Sequence, residues 1–202
     1  MPPSVSEKYK EEKKRNIINS ALICFAEKGF ETATIDDIVV HSGFSKGTIY
    51  NYFSSKDEIY LEVLHTATKN DIDVITNKFS VLRTALSKIN YLFDLYLNID
   101  LNNQKRLGFT VVFYEFTLHC TREKKLLELL TKRRNFFIHL ISEAIKEGQA
   151  SGEFNKNIQA DTYSHLFWTI IDGINLQVVY KGFPYYDVLR EMKEAYIEKL
   201  KN

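Results

Sequence analysis

Residues 32–56 read Thr-Ala-Thr-Ile-Asp-Asp-Ile-Val-Val-His-Ser-Gly-Phe-Ser-Lys-Gly-Thr-Ile-Tyr-Asn-Tyr-Phe-Ser-Ser-Lys. The stretch holds two short helices and a glycine turn. Thr34 precedes the apolar pair Ile38 and Val39, with Asp37 three residues on, a capping box that uses Asp where Glu or Gln is usual. Asp36 and Asp37 also suit the positive end of a helix. Gly43 breaks that helix after Ser42, and Ser45 caps the next one, expected to run to about Phe53. Ser55-Lys56-Asp57-Glu58 is a second capping box, opening a helix to about Asn77. Upstream, Ile17, Ile18, Ala21, Leu22, Phe25 and Ala26 recur at three- and four-residue spacing, which predicts an amphipathic helix from about Lys8 to Lys28, stopped at Gly29. A helix, a tight glycine turn and a second helix form the helix-turn-helix arrangement.

In that arrangement the N-terminal residues of the second helix reach base edges in the major groove. Here they are Ser45-Lys46-Gly47-Thr48. Lys46 is a flexible cation suited to phosphate or a guanine acceptor. Gly47 lets the backbone come close to DNA, although Gly inside a helix costs about 1 kcal/mol relative to Ala. Thr48 offers a hydroxyl and a methyl, the latter matched to a thymine methyl. Tyr50 and Tyr52 present hydroxyls for phosphate, and Lys56 with the first amides of the following helix forms a phosphate seat. Ile49 and Phe53, four apart, belong to the inner face. No nucleophile, base and orienting group are clustered here, so the stretch does not read as a catalytic pocket.

The remaining composition sets bounds. The chain has 202 residues, 45% hydrophobic and 26% charged, with a formal net charge of +1. That supports a substantial core and argues against coating nucleic acid by bulk charge. Residues 1–60 carry eight Lys or Arg and nine Asp or Glu, a net of −1. DNA contacts are therefore expected from hydroxyls and backbone amides more than from charge, with a modest salt dependence. Cys24 and Cys120 are the only cysteines, too few for a disulfide framework. The five histidines lack metal-ligand spacing, so neither a metal nor a cofactor is expected. With no apolar leader and no long apolar run, a cytoplasmic location and no membrane association are expected.

Past residue 80 aromatics become dense, and helical patterns span roughly 80–100, 104–120, 122–150, 159–181 and 185–201. No strand alternation is present, so the expected fold class is all-α. Residues 1–54 are expected to form the helix-turn-helix domain. Residues 55–202 are expected to form a helical domain for ligand binding and dimerisation.

Residues 13–60 resemble the DNA-binding domain of the TetR family of transcriptional regulators. The resemblance rests on Phe25-Ala26-x-x-Gly29-Phe30, Thr34-Ile35-x-Asp37-Ile38, Ser42-Gly43-Phe44-Ser45-Lys46-Gly47-Thr48-Ile49-Tyr50-x-Tyr52-Phe53 and Lys56-Asp57-Glu58. It implies a homodimer on a palindromic double-stranded DNA operator, and a C-terminal domain that binds a small-molecule effector and releases the DNA. It also implies DNA contacts from Thr34, Ile35, Phe44, Ser45, Lys46, Gly47, Thr48, Tyr50, Asn51, Tyr52 and Lys56. The chain departs from the pattern at Val39 and Val40, where a small and a polar residue are usual. Asn51 and Tyr52 occupy variable positions, so no operator sequence is implied.

In the C-terminal half, Phe93, Tyr96, Phe113, Tyr114, Phe116, Phe137 and Trp168 are the candidate lining of an apolar pocket. Glu115, flanked by Tyr114 and Phe116, is a candidate partner for a cationic ligand; an exposed helix face accounts for it equally well. Two apolar stripes, Phe167-Ile170-Ile171-Ile174-Val178 beside Gly173 and Tyr186-Leu189-Met192-Ala195-Tyr196, are expected at the dimer surface, with part of each packing inside the chain. The competing readings are an all-α enzyme, for which no phosphate loop or nucleophile elbow is present, and a protein–protein adaptor that has lost DNA binding. The expectation is a ligand-responsive transcriptional repressor that is not an enzyme.

Overall fold

The computed structural model describes residues 7–201, with residues 104–106 described by backbone alone. Among them the chain is all-α: α1 (Glu7–Lys28), α2 (Ile35–Ser42), α3 (Lys46–Tyr50), α4 (Lys56–Val81), α5 (Ala85–Leu97), α6 (Gln104–His119), α7 (Lys124–Ser151), α8 (Ala160–Gln177) and α9 (Tyr185–Lys201), with a 3₁₀ turn at Cys120–Arg122. They form two compact units. The first holds the described residues up to Ile72 together with Asn103–His119, and the second holds Asp73–Asn102 with the chain from Cys120 onward.

In the first unit α1 packs against α2 and α6. Its buried face, Ile17, Ile18, Ala21, Cys24 and Phe25, follows the spacing read from the sequence. Phe25, Phe30, Tyr60 and Phe116 form one aromatic cluster, with ring centroids 4.9 Å apart for Phe30–Phe116 and 4.5 Å for Tyr60–Phe116. Such pairs add about 0.5–1.5 kcal/mol each beyond the area they bury. Gly108 sets how closely α6 approaches α1, because a Cβ there would lie 2.6 Å from the Ala26 carbonyl oxygen.

The second unit is built on α7, which packs against α5 and α8, while α9 closes over α5 and α8. Phe167 is its hub, 4.8 Å from Phe93 and 5.7 Å from Trp168 between ring centroids. The Glu153 carboxylate accepts the N–H groups of Ala85 and Leu86 at 3.1 and 2.9 Å, and so caps α5 from 67 residues away in sequence. Thr84 caps the same helix locally by accepting the Ser87 N–H.

Several helix ends differ from the sequence expectation. Helix α3 stops at Tyr50, because the amides of Tyr52 and Phe53 both turn back to the Ile49 carbonyl. Helix α4 continues to Val81, and α5 starts at Ala85 where Thr84 supplies a cap. Helix α8 ends at Gln177. At the start of α4, Ser55 Oγ accepts the Glu58 N–H as expected, but Glu58 reaches back to the Ser54 amide and hydroxyl, both at 2.6 Å. The reciprocal half of that capping box is therefore one residue earlier than expected. Both stripes expected at the dimer surface turn largely inward: Phe167, Ile171, Ile174, Leu189 and Tyr196 are buried in the chain's own core. The apolar side chains left outside on these helices and the turn between them are Leu166, Leu176, Val179, Tyr180 and Met192.

Because α6 sits flush on α1 at Gly108, Gly108→Ala is expected to destabilise the chain by about 1–3 kcal/mol. Urea unfolding compared with the parent protein measures it.

Candidate nucleic-acid interface

Two caps and one turn set the geometry of the 34–53 segment. Thr34 is extended and its Oγ1 accepts the Asp37 N–H at 3.2 Å, while Asp37 Oδ2 accepts the Thr34 N–H and hydroxyl at 2.9 Å each. The capping box is complete in both directions. Lys28 donates to the other Asp37 oxygen at 2.6 Å. That lysine hydrogen bond first, and then the two from Thr34, bring the Asp37 carboxyl down to about 2.

Gly43 then takes φ +71°, a left-handed conformation that side-chain-bearing residues seldom adopt, and returns its N–H to the Val39 carbonyl at 3.0 Å. Ser45 is extended, and its Oγ accepts the Thr48 N–H at 3.1 Å. The inner face of this motif is Ile38, Ile49 and Phe53, all buried.

What remains outside is the predicted reading face. Ser45, Lys46, Gly47, Tyr50 and Asn51 are exposed, and Phe44, Thr48 and Tyr52 are half-buried beside them. Nothing packs over Gly47 within ordinary van der Waals distance except Ser45 Oγ at its limit of 4.0 Å. Thr34 is exposed at the start of α2 with Ile35 half-buried after it. The structure thus brings ten of the eleven predicted positions onto one short segment. These side chains can donate and accept hydrogen bonds and meet a thymine methyl; none forms a nucleophile–base pair.

The two lysines of the set have internal partners that the sequence reading did not assign. Lys46 pairs with Asp36 at 2.8 Å, an exposed contact whose hydrogen bond raises the lysine's proton affinity. Lys56 donates to the carbonyl oxygens of Phe30 and Glu31 at 2.6 and 3.0 Å and lies 4.6 Å from the centre of the Phe30 ring. It holds a turn rather than projecting from the first turn of α4. Asp36 thereby joins the candidate face, and its place ten residues before Lys46 across the glycine turn is the sequence signal for the pair.

The seven aromatics proposed as pocket lining divide between the units. Phe116 is buried in the Phe25–Phe30–Tyr60 cluster of the first unit, and Phe113 and Tyr114 stand edge-to-face on the same helix, with centroids 5.3 Å apart. Phe93 and Tyr96 on α5, and Phe137 and Trp168 on α7 and α8, are joined in the second unit through Phe167, which the sequence reading had assigned to the dimer surface. Trp168 Nε1 is buried without a hydrogen-bond partner. A groove of about 240 Å³ lies in the second unit, lined by Phe79, Phe136, His139, Leu140 and Glu143 among others. Glu115 accepts the Phe30 N–H at 2.6 Å, which ties its carboxylate to the turn after α1. Among the described residues no group of three or more His, Cys, Asp or Glu is placed to hold a metal ion, and no helix is long and apolar enough to cross a membrane.

Two family models match the chain. Residues 17–63 match "Bacterial regulatory proteins, tetR family", and residues 94–188 match "Tetracyclin repressor-like, C-terminal domain". The chain belongs to the TetR family. It is 27% identical over 202 residues to an uncharacterized HTH-type transcriptional regulator, YfiR, of Bacillus subtilis strain 168, covering 98% of this chain and 96% of that one. It is 24% identical to the HTH-type transcriptional regulator QacR of Staphylococcus aureus, over 80% of this chain and 83% of that protein. Among solved structures it resembles a proposed transcriptional regulator from Saccharomonospora viridis in complex with choline, with TM-score 0.80, 24% identity, and coverage of 93% and 96% of the two chains. This TetR-family chain is therefore a transcriptional regulator with a DNA-binding helix-turn-helix domain.

Asp36→Asn leaves the caps at Thr34 and Ser45 intact and releases Lys46. DNA affinity at low salt is expected to rise about two- to fivefold, and the salt slope to steepen by about one ion. Fluorescence anisotropy across a salt series reads both.

Proposed function

We propose that this TetR-family regulator is a repressor that binds a palindromic operator as a homodimer through α2 and α3, and that a small, mostly apolar or aromatic effector releases it. The observation that carries the reading is the exposed face Ser45-Lys46-Gly47-Thr48-Tyr50-Asn51, held on buried Ile49 and Phe53. In this reading Thr34, Ile35, Phe44 and Tyr52 complete the DNA contacts, and Lys56 contributes by holding the Phe30–Glu31 turn ahead of α2. Residues 1–54 carry DNA recognition and 55–202 carry effector binding and dimerisation, in the cytoplasm.

The effector reading is supported by the aromatic group Phe93, Tyr96, Phe137 and Trp168, whose buried indole N–H is an unmatched donor for a ligand acceptor. Phe113, Tyr114 and Phe116 are kept as candidate lining from α6. The choline of the Saccharomonospora viridis structure is that protein's ligand. Here the faces of Phe137 and Trp168 already carry Arg133 and Arg134, at 5.3 and 5.9 Å. For the dimer, the candidate surface is the exposed apolar row Leu166, Leu176, Val179, Tyr180 and Met192. A second copy covering it would remove water from side chains that the chain leaves 41–65% exposed.

In vitro selection of bound duplexes is expected to return an inverted repeat, with one half-site per protomer. Leu176→Arg is expected to give a folded monomer by light scattering and to weaken operator binding at least about tenfold. Selection of no preferred sequence by a folded dimer would overturn the reading.

A further inference from the structure

We propose that Lys13, on α1, is a further DNA-contacting residue, whose ammonium takes a backbone phosphate of the operator beside the base-reading face. The inference rests on the proposed reading of residues 34–53 as the DNA-contacting segment and adds a contact from a helix outside it.

Charge is unevenly spread over the N-terminal region. Residues 7–15 hold five Lys or Arg against three Glu, whereas residues 16–60 hold three Lys against six Asp or Glu. The cationic surplus of the first 60 residues is thus confined to the first turns of α1. Ile17 and Ile18 are buried, so Lys13 and Lys14, one turn earlier, continue the inner face of that helix and are half-buried. They reach the two flanks of α3. The Lys14 ammonium lies 5.9 Å from the centre of the Phe53 ring, after α3, and pairs with Glu62 at 3.0 Å. The Lys13 ammonium lies 5.8 Å from the centre of the Phe44 ring, the residue before the Ser45 cap. It lies 4.6 Å from the centre of the Tyr9 ring, one turn back on α1.

What sets Lys13 apart is the kind of partner it has. Lys10, Lys14, Lys28 and Lys46 each pair with a carboxylate, and Lys56 donates to two carbonyl oxygens. A phosphate would have to displace those partners. Lys13 has no carboxylate partner among the described residues; its neighbours are the two rings. A ring face attracts the charge but does not take up the three strong hydrogen bonds an ammonium can donate. Those donors are left to water, and a phosphate oxygen replaces water there without breaking an ion pair. The Phe44 ring meanwhile ties the ammonium to the start of α3, next to exposed Ser45, Lys46 and Gly47. A phosphate contact fixes register on the duplex and carries no base information, so Lys13 serves affinity and not the choice of sequence.

The test is fluorescence anisotropy of the intact protein across a salt series, on duplexes obtained by selection and on a scrambled duplex. Lys13→Gln is expected to lower affinity about three- to tenfold at low salt, by a similar factor on both kinds of duplex, and to lessen the salt slope by about one for each protomer bound. Lys13→Arg is expected to keep the parent slope. Lys69→Gln, which removes an exposed charge from the middle of α4, is expected to change neither quantity. Weaker binding by Lys13→Gln with an unchanged slope assigns the lysine to packing against Phe44 and overturns the proposal. A slope lessened as much by Lys69→Gln makes the effect one of bulk charge and overturns it too. If selected duplexes are bound and Lys13→Gln behaves as the parent, the reading face stands and Lys13 alone is struck from it. If no duplex is selected, the reading itself fails and the assignment with it.

Discussion

A helix of five residues does not hold itself together in water, since the cost of nucleating a helix is not recovered over one turn. Helix α3 is that short, and it carries most of the face proposed to meet DNA. Everything else in the first unit acts on this constraint. Ser45 caps its start, Gly43 sets the angle at which it leaves α2, and Ile49 and Phe53 bury its underside. The aromatic cluster of Phe25, Phe30, Tyr60 and Phe116 then fixes α1, α4 and α6 around that core. The reading face is polar and exposed because its support is wholly on the other side.

Charge plays a different part from the one usual at a DNA interface. Lys46 is held by Asp36, and Lys56 is spent on backbone carbonyls. The exposed donors that remain are hydroxyls, an amide side chain and backbone. This agrees with the near-neutral N-terminal composition, and under the proposed function the surface would select by fit more than by counterion release.

Much of this was legible in the sequence, because it is local. The caps at Thr34 and Ser45, the turn at Gly43 and the inward pair Ile49 and Phe53 are decided within a few residues, where periodicity and side-chain chemistry act directly. What was not legible depends on long-range approach. Glu115 and His119 look like polar residues on an apolar helix; only the packing of α6 on α1 brings them to Phe30, Glu31 and Asp57. Glu153 capping α5 has the same origin. Which part of the α8 and α9 stripes packs inside the chain was not legible either, because a broad apolar helix has two candidate inner faces, and Phe167 chooses between them by meeting Phe93 and Tyr196.

The most direct measurement of the central claim is amide chemical-shift mapping of the intact chain on its selected duplex. The account predicts that the largest changes fall on Phe44 to Tyr52 and at Thr34. Perturbations concentrated away from α2 and α3, with that segment unmoved, would contradict it.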